Sequence, residues 1–208
     1  MKTLTREMQA TVSPAQAIEL LKEGNKRFVN NLKVNRNLLQ QVNETSTGQY
    51  PLAVILSCID SRTSAELIFD QGLGDIFSVR IAGNIVNEDI LGSMEFACKV
   101  AGAKAIVVLG HSKCGAVKGA CDHVEMGNLT NLLSKLQPAV YAEKTILENR
   151  NSANNEFVEK VAILNVKMAM HQIHEKSTIL NDLIAERQIA MIGGMYDVET
   201  GMVQFYED

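Results

Sequence analysis

The stretch that decides the fold is Leu52-Ala53-Val54-Ile55-Leu56-Ser57-Cys58-Ile59-Asp60-Ser61-Arg62. Its first five residues form a continuous apolar run, the pattern of a strand buried on both faces. Ile76-Phe77-Ser78-Val79 and Ala105-Ile106-Val107-Val108-Leu109 are further candidates, with helical stretches between the strands near Ser64 to Phe69 and Ile90 to Val100. This alternation predicts an α/β fold, a mostly parallel central sheet with right-handed crossovers and flanking helices. Ile189-Ala190-Met191-Ile192 supplies a fourth buried strand. Met202-Val203-Gln204-Phe205-Tyr206 pairs with it as an antiparallel C-terminal edge, through a turn at Glu199-Thr200-Gly201.

Outward from this centre the chain is helical. Ser13-Pro14-Ala15-Gln16 is a helix start: serine caps, proline suits the first helical position, and glutamine completes a capping box. Ile18, Leu21 and Phe28 follow roughly along one face, with Gly24 a weak spot, and a second helix is expected around Asn35 to Asn43. Two longer helices are expected near Leu129 to Leu147 and Asn155 to Gln172. In the latter, Phe157, Val161, Leu164 and Met168 make a stripe that reads as core or subunit interface.

The 208 residues suffice for one α/β domain, and neither a repeat nor a linker divides them. At 46% apolar, the composition is that of a folded globular protein. A net charge of −4 argues against nucleic acid as a partner, because phosphate binding needs a dense basic face. No apolar window matches a signal peptide or a membrane span, so the expected location is the cytoplasm, without membrane association. In that reducing setting Cys58, Cys98, Cys114 and Cys121 point to metal or catalytic use rather than to a disulfide framework.

The chemistry gathers where strands end. The first run closes on Cys58-Ile59-Asp60-Ser61-Arg62 and the third on His111-Ser112-Lys113-Cys114-Gly115. Functional groups collect at the carboxyl ends of parallel strands, so adjacent strands would bring Cys58, His111 and Cys114 together. Two thiolates and an imidazole suit zinc, and three protein ligands leave one position open, as in a catalytic site. Arg62 is placed to clamp the Asp60 carboxylate with two parallel hydrogen bonds. Asp60 then either orients a zinc-bound hydroxide or fills the open position itself. The two roles exclude each other, which points to a switch between active and closed states. Cys98 and Cys121 read as small core hydrophobes, and His123, His171 and His174 as solvent-exposed residues with no assigned role. Neither a Walker-type loop nor a G-x-G-x-x-G turn follows the first strand, which discounts a nucleotide-binding protein.

With Cys58, Asp60 and Arg62 followed by His111 and Cys114, and Ala82-Gly83-Asn84 between them, the sequence resembles the β-class carbonic anhydrases, in their plant-type branch. The likeness runs from about Lys22 to Asp197, most of the chain. It implies one zinc per chain on Cys58, His111 and Cys114, with Asp60 and Arg62 as the catalytic dyad in the reversible hydration of carbon dioxide to bicarbonate. It also implies substrate contacts from Gln49, Phe77, Ala82, Gly83, Phe96 and Gly115, with Phe77 contributed by the partner subunit. Residues 1–208 are then a single domain of a homodimer or homotetramer, with residues 1–45 as a helical arm packing on that partner. Ile81, Ile59 and Thr63-Ser64 depart from the family pattern. With no tryptophan in the chain and Ile55 at the matching place, no allosteric bicarbonate site is expected, and Arg80 and Tyr196 read as structural. Two alternatives stay open: a carbonyl sulfide or carbon disulfide hydrolase on the same scaffold, and a non-catalytic zinc module with Asp60 as permanent fourth ligand.

Overall fold

A computed structural model describes residues 3–206. In chain order its elements are α1 (Arg6–Thr11), α2 (Pro14–Val29), α3 (Leu38–Thr45), β1 (Ala53–Ser57), α4 (Ala65–Ile68), β2 (Ile76–Arg80), α5 (Glu88–Glu95), β3 (Ala105–His111), α6 (Gly115–Cys121), α7 (Gly127–Ser134), α8 (Gln137–Ala142), α9 (Asn155–Lys176), α10 (Thr178–Ala185), β4 (Ala190–Tyr196) and β5 (Val203–Phe205). The strands form one sheet in the order β2-β1-β3-β4-β5. The first four are parallel, and β5 pairs antiparallel with β4 through the expected hairpin. The α/β architecture read from the sequence is therefore the one observed.

Every residue of β1 and β3 is buried, because helices cover both faces of the sheet. Successive side chains alternate between two cores. Val54, Leu56, Ile106 and Val108 face α5, α6, α8, α9 and α10. Ala53, Ile55, Ala105 and Val107 face Ala17 and Leu21 of α2 and Ala65 and Ile68 of α4.

The capping box at α2 is present: Ser13 Oγ accepts from the Gln16 amide at 3.2 Å, and Gln16 Oε1 from the Ser13 amide at 2.9 Å. Gly24 proves to be a contact point rather than a flaw. A Cβ there would lie 1.8 Å from the Phe69 carbonyl oxygen. Close approach lets the next residue, buried Asn25, bridge three backbone groups. Its Nδ2 donates to the carbonyls of Ile68 and Gly201, and its Oδ1 accepts from the Val203 amide. Arg27 and Arg36 both pair with the buried carboxylate of Asp70. These contacts seat α2 on its own sheet.

Two expectations are corrected. The stretch from Leu129 to Leu147 is not one helix. It breaks after Ser134 and resumes at Gln137, where Pro138 in the first turn of α8 has no amide to carry α7 onward. A loop then runs to Asn154, organised by the buried Glu143 carboxylate, which accepts from the Thr145 and Ile146 amides and from Arg150. Helix α10 is not among the helices expected from the sequence. Its cap is Ser177, whose hydroxyl accepts from the Leu180 amide and donates to Glu95. The α9 stripe is core at Phe157 and Val161 and half-buried at Leu164 and Met168.

Two stability measurements check this packing. Gly24→Ala should destabilise by about 1–3 kcal/mol in urea denaturation, the cost of overpacking a tight contact. Gly92→Ala in α5, whose new methyl meets nothing within 4 Å, should be neutral or stabilising by up to about 1 kcal/mol. Burial alone would raise the Glu143 carboxyl, but the Thr145 hydroxyl and the Ile146 and Thr145 amides outweigh it and hold the group down at about 2, from 4.5. A folded pKa below the unfolded one stabilises above the unfolded pKa, and the gain is lost as pH falls through the folded one. The gap in urea midpoint between wild type and Glu143→Gln should therefore be widest near neutral pH and narrow from about pH 4.5 downward.

Candidate metal centre

Pairing of β1 with β3 aligns Ser57 with Leu109. Cys58 therefore leaves the sheet beside the end of β3, where His111 is the last strand residue and Cys114 caps α6. All three are buried, and one ligand atom from each lies within 4.8 Å of the others. The two sulfurs are 3.9 Å apart. His111 Nδ1 sits 2.9 Å from the Ser112 carbonyl oxygen and donates to it. That bond fixes the tautomer and leaves the lone pair on Nε2, which is buried with no hydrogen-bond partner.

The donor set fits a divalent, borderline-soft cation. Hydrogen bonding from Cys114 draws the Cys58 thiol far below the ordinary thiol range, and the same contact pushes the Cys114 thiol up. For both to ionise side by side, a positive charge is needed between them, and a cation there would also use the unpaired imidazole nitrogen. Cys98 and Cys121 contrast with this pair. Burial raises their thiols to about 12 and about 11, and they stay in the core as expected.

Asp60 stands next to the three. Its Oδ1 accepts from the Arg62 amide at 3.0 Å and from Nε at 2.9 Å, and its Oδ2 accepts from Nη2 at 2.7 Å. Oδ2 also lies 4.0 Å from His111 Nε2. The Arg62 guanidinium holds the Asp60 carboxyl well below the usual carboxylate range. Asp60 is thus turned to Arg62, with one oxygen left near the ligand cluster.

The loop that carries Cys58 and Asp60 is held by Arg80, read from the sequence as structural, and by Thr63. Arg80, at the end of the edge strand β2, donates from Nε to the Cys58 carbonyl at 3.0 Å and from Nη2 to the Asp60 carbonyl at 2.6 Å. The buried Thr63 hydroxyl lies 3.1 Å and 2.9 Å from the same two oxygens. Thr63 is one of the departures from the family pattern noted above. On the opposite loop, the Ser112 amide donates to the Tyr196 carbonyl and Ser112 Oγ accepts from the Val198 amide. Lys113, at a φ of 56°, pairs with Glu199.

Of the substrate residues named from the sequence, the structure brings three to the cluster. Ala82 and Gly115 join Cys58, Asp60 and Leu133 in lining a cavity of about 240 Å³. The Gly83 amide donates to Cys58 Sγ at 3.3 Å. The other three lie elsewhere in the chain. Phe77 and Phe96 meet edge-on, 6.1 Å between centroids, in a groove beside Glu88 and Asp89. Gln49 lines a separate groove with Val42 and Leu73. His123 and His171 are exposed as expected, whereas His174 is half-buried beside Asn181.

Residues 53–203 match the family described as carbonic anhydrase. A solved structure, that of the β-carbonic anhydrase CcaA, superposes with a TM-score of 0.72 at 25% identity, covering 91% of this chain and 95% of that one. The chain belongs to the β-carbonic anhydrase family. Carbonic anhydrase 2 of Mycobacterium tuberculosis is 47% identical over 120 residues, 56% of this chain and 57% of that protein. The carbonic anhydrase of Mycolicibacterium smegmatis is 42% identical over 118 residues, again 57% of its length. The chain thus spans under two thirds of the length of these relatives. The β-carbonic anhydrase CafA of Aspergillus fumigatus, at 24% identity and a TM-score of 0.71 over 93% of this chain and 90% of that one, shares the fold. Among the described residues no helix is long and apolar enough to cross a membrane.

The clamp on the Cys58 loop has a thermodynamic signature. Thr63→Val and Arg80→Ala each leave the Cys58 carbonyl one side-chain donor, and together they remove both. Each single change should cost about 1 kcal/mol in urea denaturation. The double variant should lose more than their sum, by about 0.5 kcal/mol or more.

Proposed function

We propose that this protein catalyses the reversible hydration of carbon dioxide to bicarbonate and a proton, with one zinc ion held by Cys58, His111 and Cys114. The observation that carries this reading is the buried trio with an unpaired His111 Nε2, flanked by an Asp60 carboxylate locked onto Arg62. Zinc, when bound, supplies Lewis acidity that makes a water molecule nucleophilic at neutral pH.

The remaining work falls to side chains. Asp60 is ionised at neutral pH and only accepts hydrogen bonds. A carboxylate held this far down is a poor proton store, so its part is to orient the attacking oxygen through that oxygen's proton. Arg62 occupies both carboxylate oxygens and keeps the free lone pair of Oδ2 toward the ligand cluster. Ala82 and Leu133 give the adjoining cavity an apolar wall suited to a small uncharged substrate. The Gly115 amide, at the first turn of α6, is free of any intrahelical acceptor and available to an anionic product.

We place the chain in the plant-type branch, on Gln49 nine residues before Cys58 and on the absence of tryptophan. Gln49, Phe77 and Phe96 lie apart from this chain's own cavity, which supports their delivery by a partner subunit, the role read for Phe77 from the sequence. Exposed Leu38, Leu39 and Val42 of α3 support residues 1–45 as an arm that reaches that partner, with its α2 segment seated on this chain's own sheet. The assembly is a homodimer or homotetramer, and its location the cytoplasm.

Metal analysis with stopped-flow hydration tests the reading. One zinc per chain is expected, with activity lost on chelation and regained with zinc. Cys58→Ala should lose the metal and most activity, and Asp60→Ala should lose about 10–100-fold in kcat while keeping zinc. A zinc-loaded wild type with no hydration anywhere between about pH 7 and 9 would instead make the site a non-catalytic module. Sedimentation should show a dimer or tetramer, and a fully active monomer would remove the partner-supplied residues.

A further inference from the structure

Helix α9 packs an apolar face onto the sheet, with Val161, Ala162, Val166 and Ala169 all buried. One polar side chain interrupts that face. Asn165 is only 5% exposed, and a polar group so placed is costly unless it is paired. Its Nδ2 donates to the Gly83 carbonyl at 2.8 Å, across 82 positions of sequence.

Gly83 is not an ordinary acceptor. It sits at φ 66° and ψ 19°, a left-handed conformation suited to glycine, and a Cβ there would lie 2.9 Å from Leu136 Cδ1. The following residue, Asn84, is also left-handed at φ 42°. In this turn the Gly83 amide points to Cys58 Sγ at 3.3 Å while the Gly83 carbonyl points away, into the α9 interface. The two ends of one residue therefore tie α9 to a sulfur of the ligand cluster. An N–H donor on a ligating thiolate withdraws charge from the sulfur, and outer partners of this kind tune metal sites.

We infer that Asn165 is a positioning residue for the metal centre: by holding the Gly83 carbonyl it keeps the Gly83 amide hydrogen-bonded to the Cys58 sulfur. The inference rests on the reading that Cys58, His111 and Cys114 hold a divalent metal. Without the Asn165 donor, the Gly83 carbonyl is a buried orphan, and the turn rotates to pair it at the expense of the amide–sulfur bond.

Cobalt substitution of the full chain tests this independently of turnover. The wild type should show sulfur-to-cobalt charge-transfer absorption. In Asn165→Leu and in the smaller Asn165→Ser, that absorption should move to longer wavelength, because a thiolate without its donor is easier to oxidise. Metal loss to a chelator should quicken by about 10-fold or more. Ile173→Val, two turns along the same helix and fully buried, is the control for packing loss and should leave the band in place. Asn165 variants that load cobalt with the wild-type band and off-rate would overturn the inference. Should neither variant fold, cadmium-113 substitution of the wild type decides. A scalar coupling from the metal through Cys58 to the Gly83 amide proton supports the tie, and its absence overturns it. A wild type that takes up cobalt with no sulfur-to-metal band would sink the metal reading itself.

Discussion

Parallel pairing of β1 with β3 is the constraint on which the site depends. A parallel pair ends at one edge of the sheet, so the residues that follow two such strands emerge side by side. Register does the rest. With Ser57 opposite Leu109, Cys58 leaves β1 beside the end of β3. A slip of one position would reverse which face every residue of β1 presents, exchanging Val54 and Leu56 for Ala53 and Ile55 in both cores. The apolar packing that sets the register therefore also sets the separation of the Cys58 and Cys114 sulfurs. Site geometry and core packing are one choice here.

Convergence alone leaves two loops that need restraint, and each is held from a neighbouring strand. The Cys58 loop is gripped from β2, through Arg80, and from within, through Thr63. The His111 loop is gripped from the β4–β5 hairpin, through Ser112 and Lys113. That hairpin is in turn fastened to α2 by Asn25. The sheet order puts β2 and β4 on either side of the central pair, so each ligand loop has one bracing neighbour. Most of these bonds end on backbone carbonyls or amides, which fixes the path of the chain while leaving the sulfurs and the imidazole free for metal.

How much of this was legible in the sequence follows from the range of the interactions. Strands buried on both faces announce themselves as apolar runs, and all four parallel strands were read within a few residues. The C-x-D-x-R and H-x-x-C spacings were legible because each ligand sits within three residues of a strand end. The break between α7 and α8 was not, since apolar residues continue through Leu132, Leu133 and Leu136 and only Pro138 marks the restart. Arg80, Asn25 and Asn165 were not legible as braces either. Their partners lie 22, 178 and 82 positions away, and nothing local separates a bracing asparagine from a surface one. The six residues named for substrate divide on the same ground. Ala82, Gly83 and Gly115 flank the ligand loops, whereas Gln49 in the loop before β1, Phe77 of β2 and Phe96 just past α5 line grooves away from that cavity.

The four cysteines show how far environment, rather than residue type, decides chemistry. All four are buried. Cys98 and Cys121 meet mainly apolar neighbours; burial makes the Cys98 thiolate unfavourable, and burial with the nearby Asp122 charge does so for Cys121, so they behave as small hydrophobes. Cys58 and Cys114 are no more exposed, yet each sulfur faces donors: the Gly83 amide for Cys58, and the Ala116 and Val117 amides at the start of α6 for Cys114. Amide donors stabilise negative charge without bringing a charge of their own; with the Cys114 contact they make Cys58 the anion of the pair, while Cys58 and burial outweigh them at Cys114 and push that thiol up. They do not neutralise the anion. What remains is one buried sulfur anion with a second thiol and an imidazole lone pair beside it, and a cation placed among them would let both sulfurs ionise.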